Sequence, residues 1–345
     1  MTVSWSASML LQLMIGREQH IAPASVSCDA NPSQWLRKKQ GNWLVHCTGS
    51  CCPLHIMSIY RNAIWFLNGI QQYTRKGYAA ASKDFETKDL DFSVVGRSFL
   101  ITGANSGIGK ATAMAIAKKG GTVHMVCRNK DRAEEAKSEI VSESGNAEVY
   151  IHVVDMSQTR KVWEFAEAFT KEHPSLNVLI TVSSGGMLVQ SLRADDLQSE
   201  KGHFDGVMVY AQNKRQQVVL TEHWAKANPV IHFSVMHPGW VDTPAVSAAM
   251  PQFHQMMGDR LRSVDQGADT VVWLALSRAA ARKRSGRFFQ DRKPVPTHLP
   301  LAWTHSSAEE IHSFITQLET LARAVQSRHD ADLRGQTDAS VPQFV

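Results

Sequence analysis

The sequence predicts an α/β fold built on a doubly wound parallel sheet, and three observations carry that prediction. Strand-like and helix-like segments alternate from Gly96 onward, a glycine-rich turn separates the first strand from the first helix, and no disulfide framework is available to the main body. Alternation of this kind requires parallel strands covered by helices on both faces.

The elements follow in order. "RSFLITG" (97–103) is a short β-branched and aromatic run, and "NSGIGKATAMAIAKKGG" (105–121) reads as a helix with a glycine stop. "TVHMVCR" (122–128) and "AEVYIHVVDM" (147–156) are the next strands. "DRAEEAKSEIVSESG" (131–145) and "TRKVWEFAEAFTKEH" (159–173) are the helices that follow them. Further on come a helix around 208–227, a strand "IHFSVMHPG" (231–239), a helix near 264–277 and "GRFFQD" (286–291). Residues 93–327 therefore form the main domain, and 328–345 read as a polar tail that frays.

Residues 1–56 have no sustained hydrophobic period and read as a poorly ordered extension. From Met57, apolar residues Ile59, Ala63, Phe66, Ile70 and Tyr73 recur at three- and four-residue steps, which predicts an amphipathic helix within 57–92. Packing on the domain is the expected use of its apolar face, and contact of residues 57–75 with a membrane surface is the alternative.

Composition narrows the class. The 345 residues are 43% hydrophobic and 20% charged, with a net charge of +5 and both signs interspersed. That balance does not point to nucleic acid. No apolar run reaches the roughly 20 residues needed to span a bilayer. "MLLQLMI" (Met9 to Ile15) is short and lacks a basic lead, so no signal peptide is expected. Of five cysteines, Cys28, Cys47, Cys51 and Cys52 precede the domain and only Cys127 lies within it, which suits an intracellular, cytoplasmic protein. "HCTGSCCPLH" (46–55) has no paired-knuckle spacing, so no metal site is expected.

"TGANSGIG" (Thr102 to Gly109) is placed to bind a dinucleotide. Gly103 allows a tight turn, Gly107 allows the backbone to approach a pyrophosphate, and Gly109 allows helix and strand to pack closely. Asn105, Ser106 and Ile108 complete the loop, and the helix that follows offers unpaired N–H groups to an anion. The second strand ends in Cys127-Arg128. An arginine there suits the 2′-phosphate of NADP, whereas an acidic residue would favour NAD. Asp155 ends the third strand, where it can meet the adenine or cap the next helix.

"YAQNK" sets Tyr210 and Lys214 on one helix face. An ammonium beside a phenol favours the phenolate, which can exchange a proton with an alcohol or carbonyl oxygen as hydride moves. Ser184 can hydrogen-bond the same oxygen.

"TGANSGIGK", "VSSGG", "YAQNK" and "HPGWVDTP" together resemble the short-chain dehydrogenase/reductases over about 57–320, and "GRFFQDRKP" resembles the retinol-dehydrogenase-like branch. The resemblance implies a Rossmann fold with strand order 3-2-1-4-5-6-7. It implies Tyr210 as acid/base, Lys214 as its tuner and ribose contact, and Ser184 as the group that orients substrate. His237, Pro238, Gly239 and Thr243 would line the nicotinamide, and the substrate would be a small apolar alcohol or carbonyl. Met187, Leu188, Trp240 and Met250 are candidate pocket walls, although residues of this kind more often belong to the core.

The chain departs from the family pattern at "LNVLITVSSGG" (176–186). The family places an "NNAG" motif, a helix with a relay asparagine and a further strand where this chain runs from Ile180 directly into Thr181. Parallel neighbours need a crossover of roughly a dozen residues or more. Residues 176–184 can therefore fill the fourth slot, with Ser184 displaced, or the fifth, with a gap beside the phosphate-loop strand. Either way one strand and one helix are missing. The expected consequences are an internally shortened form, such as a splice product, with weakened turnover and weakened homo-oligomer pairing.

Overall fold

The computed structural model describes residues 52–201 and 204–338. Residues 1–51 of the extension, with the cysteines at 28, 47 and 51, lie outside the described residues, and its last five residues, 52–56, are helical where the sequence predicts poor order.

Helix α1 (Cys52–Gln72) and the short α2 (Arg75–Ala81) precede the domain. The first half alternates as anticipated: β1 (Ser98–Thr102), α3 (Gly107–Ala117), β2 (Thr122–Cys127), α4 (Lys130–Ser144), β3 (Val149–Val153) and α5 (Thr159–Glu172). The second half holds β4 (Val178–Val182), a 3-10 turn (Gly185–Val189), α6 (Gly206–Ala227) and β5 (His232–Met236). It continues through α7 (Pro244–Ala249), α8 (Pro251–Met257), α9 (Val264–Leu276) and α10 (Arg278–Ala281) to β6 (Arg287–Gln290) and β7 (Lys293–Pro294). Helix α11 (Ala308–Asp338) runs on past residue 328, where the sequence predicts a polar tail.

The strands form two sheets rather than one. β1, β2 and β3 pair in parallel in one, and β4, β5 and β6 pair in parallel in the other, with β7 antiparallel at its edge. The 176–184 segment thus fills the fifth slot of the family order, because β4 pairs with β5 from Val178↔His232 to Val182↔Met236. The sequence left both slots open. The deciding constraint is that β4, α6 and β5 make one complete strand–helix–strand unit, whose two strands end up as neighbours.

The fourth slot is therefore a gap. β2 and β5 are buried almost throughout, as strands inside a covered parallel sheet should be. β1 and β4, which border the gap, are mostly half-buried, and Ser98 and Thr102 are exposed. On one face of the sheets the core is continuous. Ile101 of β1 and Ile180 and Val182 of β4 pack with Met236, Phe289 and the apolar sides of α3 and α9. On the other face it is divided. Leu100 packs with Val162 and Trp163 of α5, whereas Leu179 packs with Trp224 of α6 and Phe314 of α11.

Helix α1 packs on the domain, by Phe66 and Tyr73 of the stripe its periodicity suggests but not by the other three residues. Trp65 and Phe66 meet Trp240, Gly69 lies where any side chain would strike the Trp240 ring, and Tyr73 is buried against His237. Ile59, Ala63 and Ile70 are exposed. The three- and four-residue periodicity misses this because Gly69 admits the Trp240 indole, which shifts the packed face.

Two buried histidines, His124 and His237, and the half-buried His298 should make stability pH-dependent. Burial lowers His124 to about 4, with His152 and His173 adding to the effect. It lowers His237 to about 3, with Arg262 adding, and His298 to about 4, with Arg215 and His305 adding. Each folded-state value lies below the ordinary 6.5, so the unfolded chain binds more protons as pH falls. Stability should hold above about 6.5 and decline from there toward about 4. Melting temperatures between pH 7.5 and 4.5 should show this, with a shallower decline for His124→Phe.

Candidate active site

The phosphate loop has the geometry its glycines predict. Gly103 and Gly107 have φ of +65° and +52°, in the left-handed region that side chains rarely adopt. At Gly109 a Cβ would lie 2.4 Å from the Gly103 carbonyl oxygen, so only glycine lets α3 start this close to the turn. Ser106, extended at φ −158°, is the N-cap of α3 without a side-chain capping bond, and Ile108 packs into the shared core. The N–H groups of Ala104 and Asn105 reach the Cys127 thiol at the end of β2, which ties the loop to that strand. Burial still pushes the thiol up.

The rim of this cleft comes from distant parts of the chain. Arg128 follows β2 and is exposed. The carboxylate of Asp155 accepts hydrogen bonds from the backbone N–H (2.9 Å) and hydroxyl (2.8 Å) of Ser157, so it turns the chain toward α5. Thr243 caps α7 by accepting from the Val246 N–H at 3.2 Å, and its methyl group lies 3.3 Å from where a Gly107 side chain would begin. The phosphate loop and the "HPGWVDTP" segment therefore face one another across the cleft.

Ser184 opens a turn that packs on α6, the helix that carries Tyr210 and Lys214. Ser184 ends the β4 extension and opens the 3-10 turn, its hydroxyl accepting from the Gly186 N–H at 3.1 Å. That turn packs on α6 beside Ala211, next to Tyr210. Ser183, buried, donates to the Lys214 carbonyl at 2.8 Å and pins strand to helix. The Lys214 ammonium lies 5.4 Å from the centre of the Tyr210 ring, and Tyr210 itself is exposed. Among the described residues no hydrogen bond joins Ser184 to Tyr210. Lys214 instead donates to the Val182 carbonyl at 3.1 Å. Since Asn177 and Ser183 turn their backbone groups to β5, alternation turns the Val182 carbonyl to the gap. The lysine thus satisfies an edge that a neighbouring strand would otherwise cover.

Of the expected pocket walls, three prove to be core. Met187 and Leu188 are buried against Val218, Val235 and Phe288, and Trp240 is buried under α1. Met250 is half-buried at the start of α8. His237 lies beneath the site, its Nδ1 accepting from the Gly185 N–H at 2.9 Å.

Sequence reasoning missed the brace behind this cleft. Arg262 and Asp291, both buried, form a two-pronged ion pair at 2.7 and 3.0 Å. The same guanidinium donates to the carbonyls of Pro238 (3.1 Å), Gln72 (2.7 Å) and Thr74 (3.4 Å). Gly239, at φ +85°, lies so near Arg262 that a Cβ would fall 2.4 Å from its Nε. The Pro238-Gly239 turn is thus held in place by an arginine that also anchors the end of α1.

The profile described as short chain dehydrogenase matches residues 97–208. Dehydrogenase/reductase SDR family member 12 of Bos taurus is 54% identical over 315 residues, covering 77% of this chain and 99% of the relative. The chain belongs to the short-chain dehydrogenase/reductase family. The human protein of the same name is 52% identical over the same length, and retinol dehydrogenase 12 of Bos taurus is 26% identical over 319 residues, covering 98% of it. The crystal structure of an uncharacterized protein from Mycobacterium paratuberculosis shares the fold of these oxidoreductases, with a TM-score of 0.50 at 19% identity over 67% of this chain and 95% of that one.

Proposed function

We propose that this chain is an internally shortened short-chain oxidoreductase that binds NADP(H) and transfers hydride slowly to or from a small apolar alcohol or carbonyl. The observation that carries the reading is a phosphate loop whose glycines have the geometry dinucleotide binding needs, with Thr243 packed against Gly107. On this reading Arg128, Asp155, Pro238, Gly239 and Thr243 line the cofactor, and Tyr210, Lys214 and Ser184 serve the substrate.

NADP(H) binds through the α3 N-terminus and the glycine backbone, with the Arg128 guanidinium at the 2′-phosphate. The bound nicotinamide supplies or accepts the hydride. The chain's own part is to deliver a proton from Tyr210 to the substrate oxygen, or take one from it, while Ser184 steadies that oxygen. Lys214 has two roles here. It faces the Tyr210 ring, and it also holds the Val182 carbonyl. The missing relay asparagine leaves the lysine without its family partner, and the open edge competes for its ammonium.

Two features support the shortening. The alignment with the bovine relative runs over 315 positions although only 77% of this 345-residue chain takes part, so the relative carries a stretch with no counterpart here. The strands also form two sheets, with β1 and β4 unpaired to one another. The same features favour a second reading, a cofactor-binding protein without turnover.

Titration of the purified chain with NADPH and NADH, followed by nucleotide fluorescence, tests the cofactor assignment. NADPH should bind more tightly, and Arg128→Asp should weaken it by about ten- to a hundredfold, as expected for loss of charge-assisted bonds to a phosphate, while NADH changes little. Equal loss of both cofactors, or no binding of either, contradicts it.

A further inference from the structure

We infer that Tyr73 and His237 are positioning residues for Ser184, so that the end of α1 belongs to the apparatus that orients substrate. The inference rests on the reading of Ser184 as the group that steadies the substrate oxygen.

The contacts start at the serine. Ser184 opens the 3-10 turn, and the first two N–H groups of that turn are both committed. The Gly186 N–H donates to the Ser184 hydroxyl at 3.1 Å, which uses the oxygen as an acceptor and leaves its proton to be donated to a substrate oxygen. The Gly185 N–H points into the core instead and donates to His237 Nδ1 at 2.9 Å. Since the peptide unit is planar, that bond fixes the plane between Ser184 and Gly185. The direction in which the serine side chain leaves the backbone is fixed with it.

His237 is itself held from several sides. It directly follows β5, where the Ser183 N–H bonds the Met236 carbonyl at 2.8 Å and the His237 N–H bonds the Phe289 carbonyl at 2.9 Å. Its imidazole is buried and neutral. Because Nδ1 receives an N–H, it is bare, and the ring carries its proton on Nε2. Among the described residues Nε2 has no hydrogen-bond partner. A buried donor of this kind gains by turning toward an acceptor, which here would break the bond to Gly185. Tyr73 stands in the way. Its ring lies at 82° to the imidazole with centroids 4.4 Å apart, and an aromatic ring is itself a weak acceptor for N–H. The three residues interlock at Gly185, where a Cβ would fall 2.9 Å from both His237 Nε2 and Tyr73 Cε2.

Tyr73 is fixed in turn. Its carbonyl accepts from the Trp240 N–H at 2.8 Å, and the Arg262 guanidinium donates to the carbonyls of Gln72 and Thr74 on either side of it. The contacts thus run from the end of α1 through Tyr73, His237 and Gly185 to Ser184. The family resemblance sets His237 along the nicotinamide, whereas the bond to Gly185 gives its side chain a task beneath the serine turn.

Variants of the full chain test this, read by amide hydrogen exchange at Gly185. His237→Leu fills the space without an acceptor and should speed that exchange about tenfold, the size expected for loss of one buried bond. His237→Asn offers an amide oxygen close to the place of Nδ1 and should bring exchange back to within about threefold of the unmodified chain. Tyr73→Leu should speed exchange by about threefold or more through the loosened imidazole, whereas Tyr73→Phe keeps the ring and should not. In NADPH oxidation with benzaldehyde, kcat should fall in the order of Gly185 exchange, with NADPH affinity unchanged and kcat rescued by His237→Asn. Equal Gly185 exchange in His237→Leu and the unmodified chain overturns the proposal. So does a loss in His237→Leu that His237→Asn does not rescue, since filled volume rather than the acceptor would then matter. So does fast exchange at Gly185 with kcat unaltered. Absence of turnover in the unmodified chain counts instead against the functional reading of Ser184, and the exchange series still decides whether Tyr73 and His237 hold the turn.

Discussion

Asp291→Ala is expected to lower stability by about 3–5 kcal/mol, the usual cost of leaving a buried charge without its partner. For a chain of this size that is a fall in melting temperature on the order of 10 °C. The cost arises because the Arg262 guanidinium is buried and keeps its charge, while two of its strongest bonds go to the Asp291 carboxylate. The damage should spread along the guanidinium's other bonds. The carbonyls of Gln72 and Thr74 end α1, and Pro238 begins the turn along the cofactor cleft. Hydrogen exchange should therefore rise at the end of α1 and in 237–243, and NADPH affinity should fall with it. Replacing both partners by apolar residues, as in Arg262→Met with Asp291→Leu, should cost less than the single change, since no charge is then stranded. Loss of stability without loosening of α1 would show that the pair acts locally.

Tyr210→Phe should remove whatever turnover the chain has, by about a hundred- to ten-thousandfold, while leaving the melting temperature almost unchanged. The ring is exposed and no hydrogen bond of its hydroxyl holds the fold together among the described residues, so the change removes a proton-exchanging group and little else. Cofactor titration should be unaffected. A variant that keeps its activity would place the acid/base function elsewhere.

Much of the architecture was legible because it is local. The strand–loop–helix from Ser98 to Ala117 announces itself through glycines whose backbone angles and close contacts do require glycine. The Tyr210–Lys214 pair follows from helical spacing alone. What the sequence left open is non-local. Residues 176–184 read as one strand with two possible slots, and the choice depends on β5, some fifty residues later, whose pairing completes the β4–α6–β5 unit. Arg262 and Asp291 are 29 positions apart on separate elements, and nothing in either neighbourhood marks them as partners. The packed face of α1 depends on where Trp240 enters, which helical periodicity does not encode. Whether the candidate pocket residues wall a pocket or fill the core is likewise settled by the turn that carries them. Met187 and Leu188 follow the serine pair, but a 3-10 turn rolls them into the core.

Under the proposed function, the split geometry is the cause of slow turnover. A lysine that holds an open strand edge is shared between that task and the tyrosine beside it. Filling the gap should release it.

The most direct test is steady-state NADPH oxidation with a panel of apolar aldehydes and ketones, comparing this chain with one in which the unmatched stretch of the bovine relative is inserted between Ile180 and Thr181. The inserted form should be at least about a hundredfold faster in kcat/KM, the size expected when a proton-transfer group is correctly placed. Equal rates for the two forms would contradict the account, because the gap would then have no effect on catalysis.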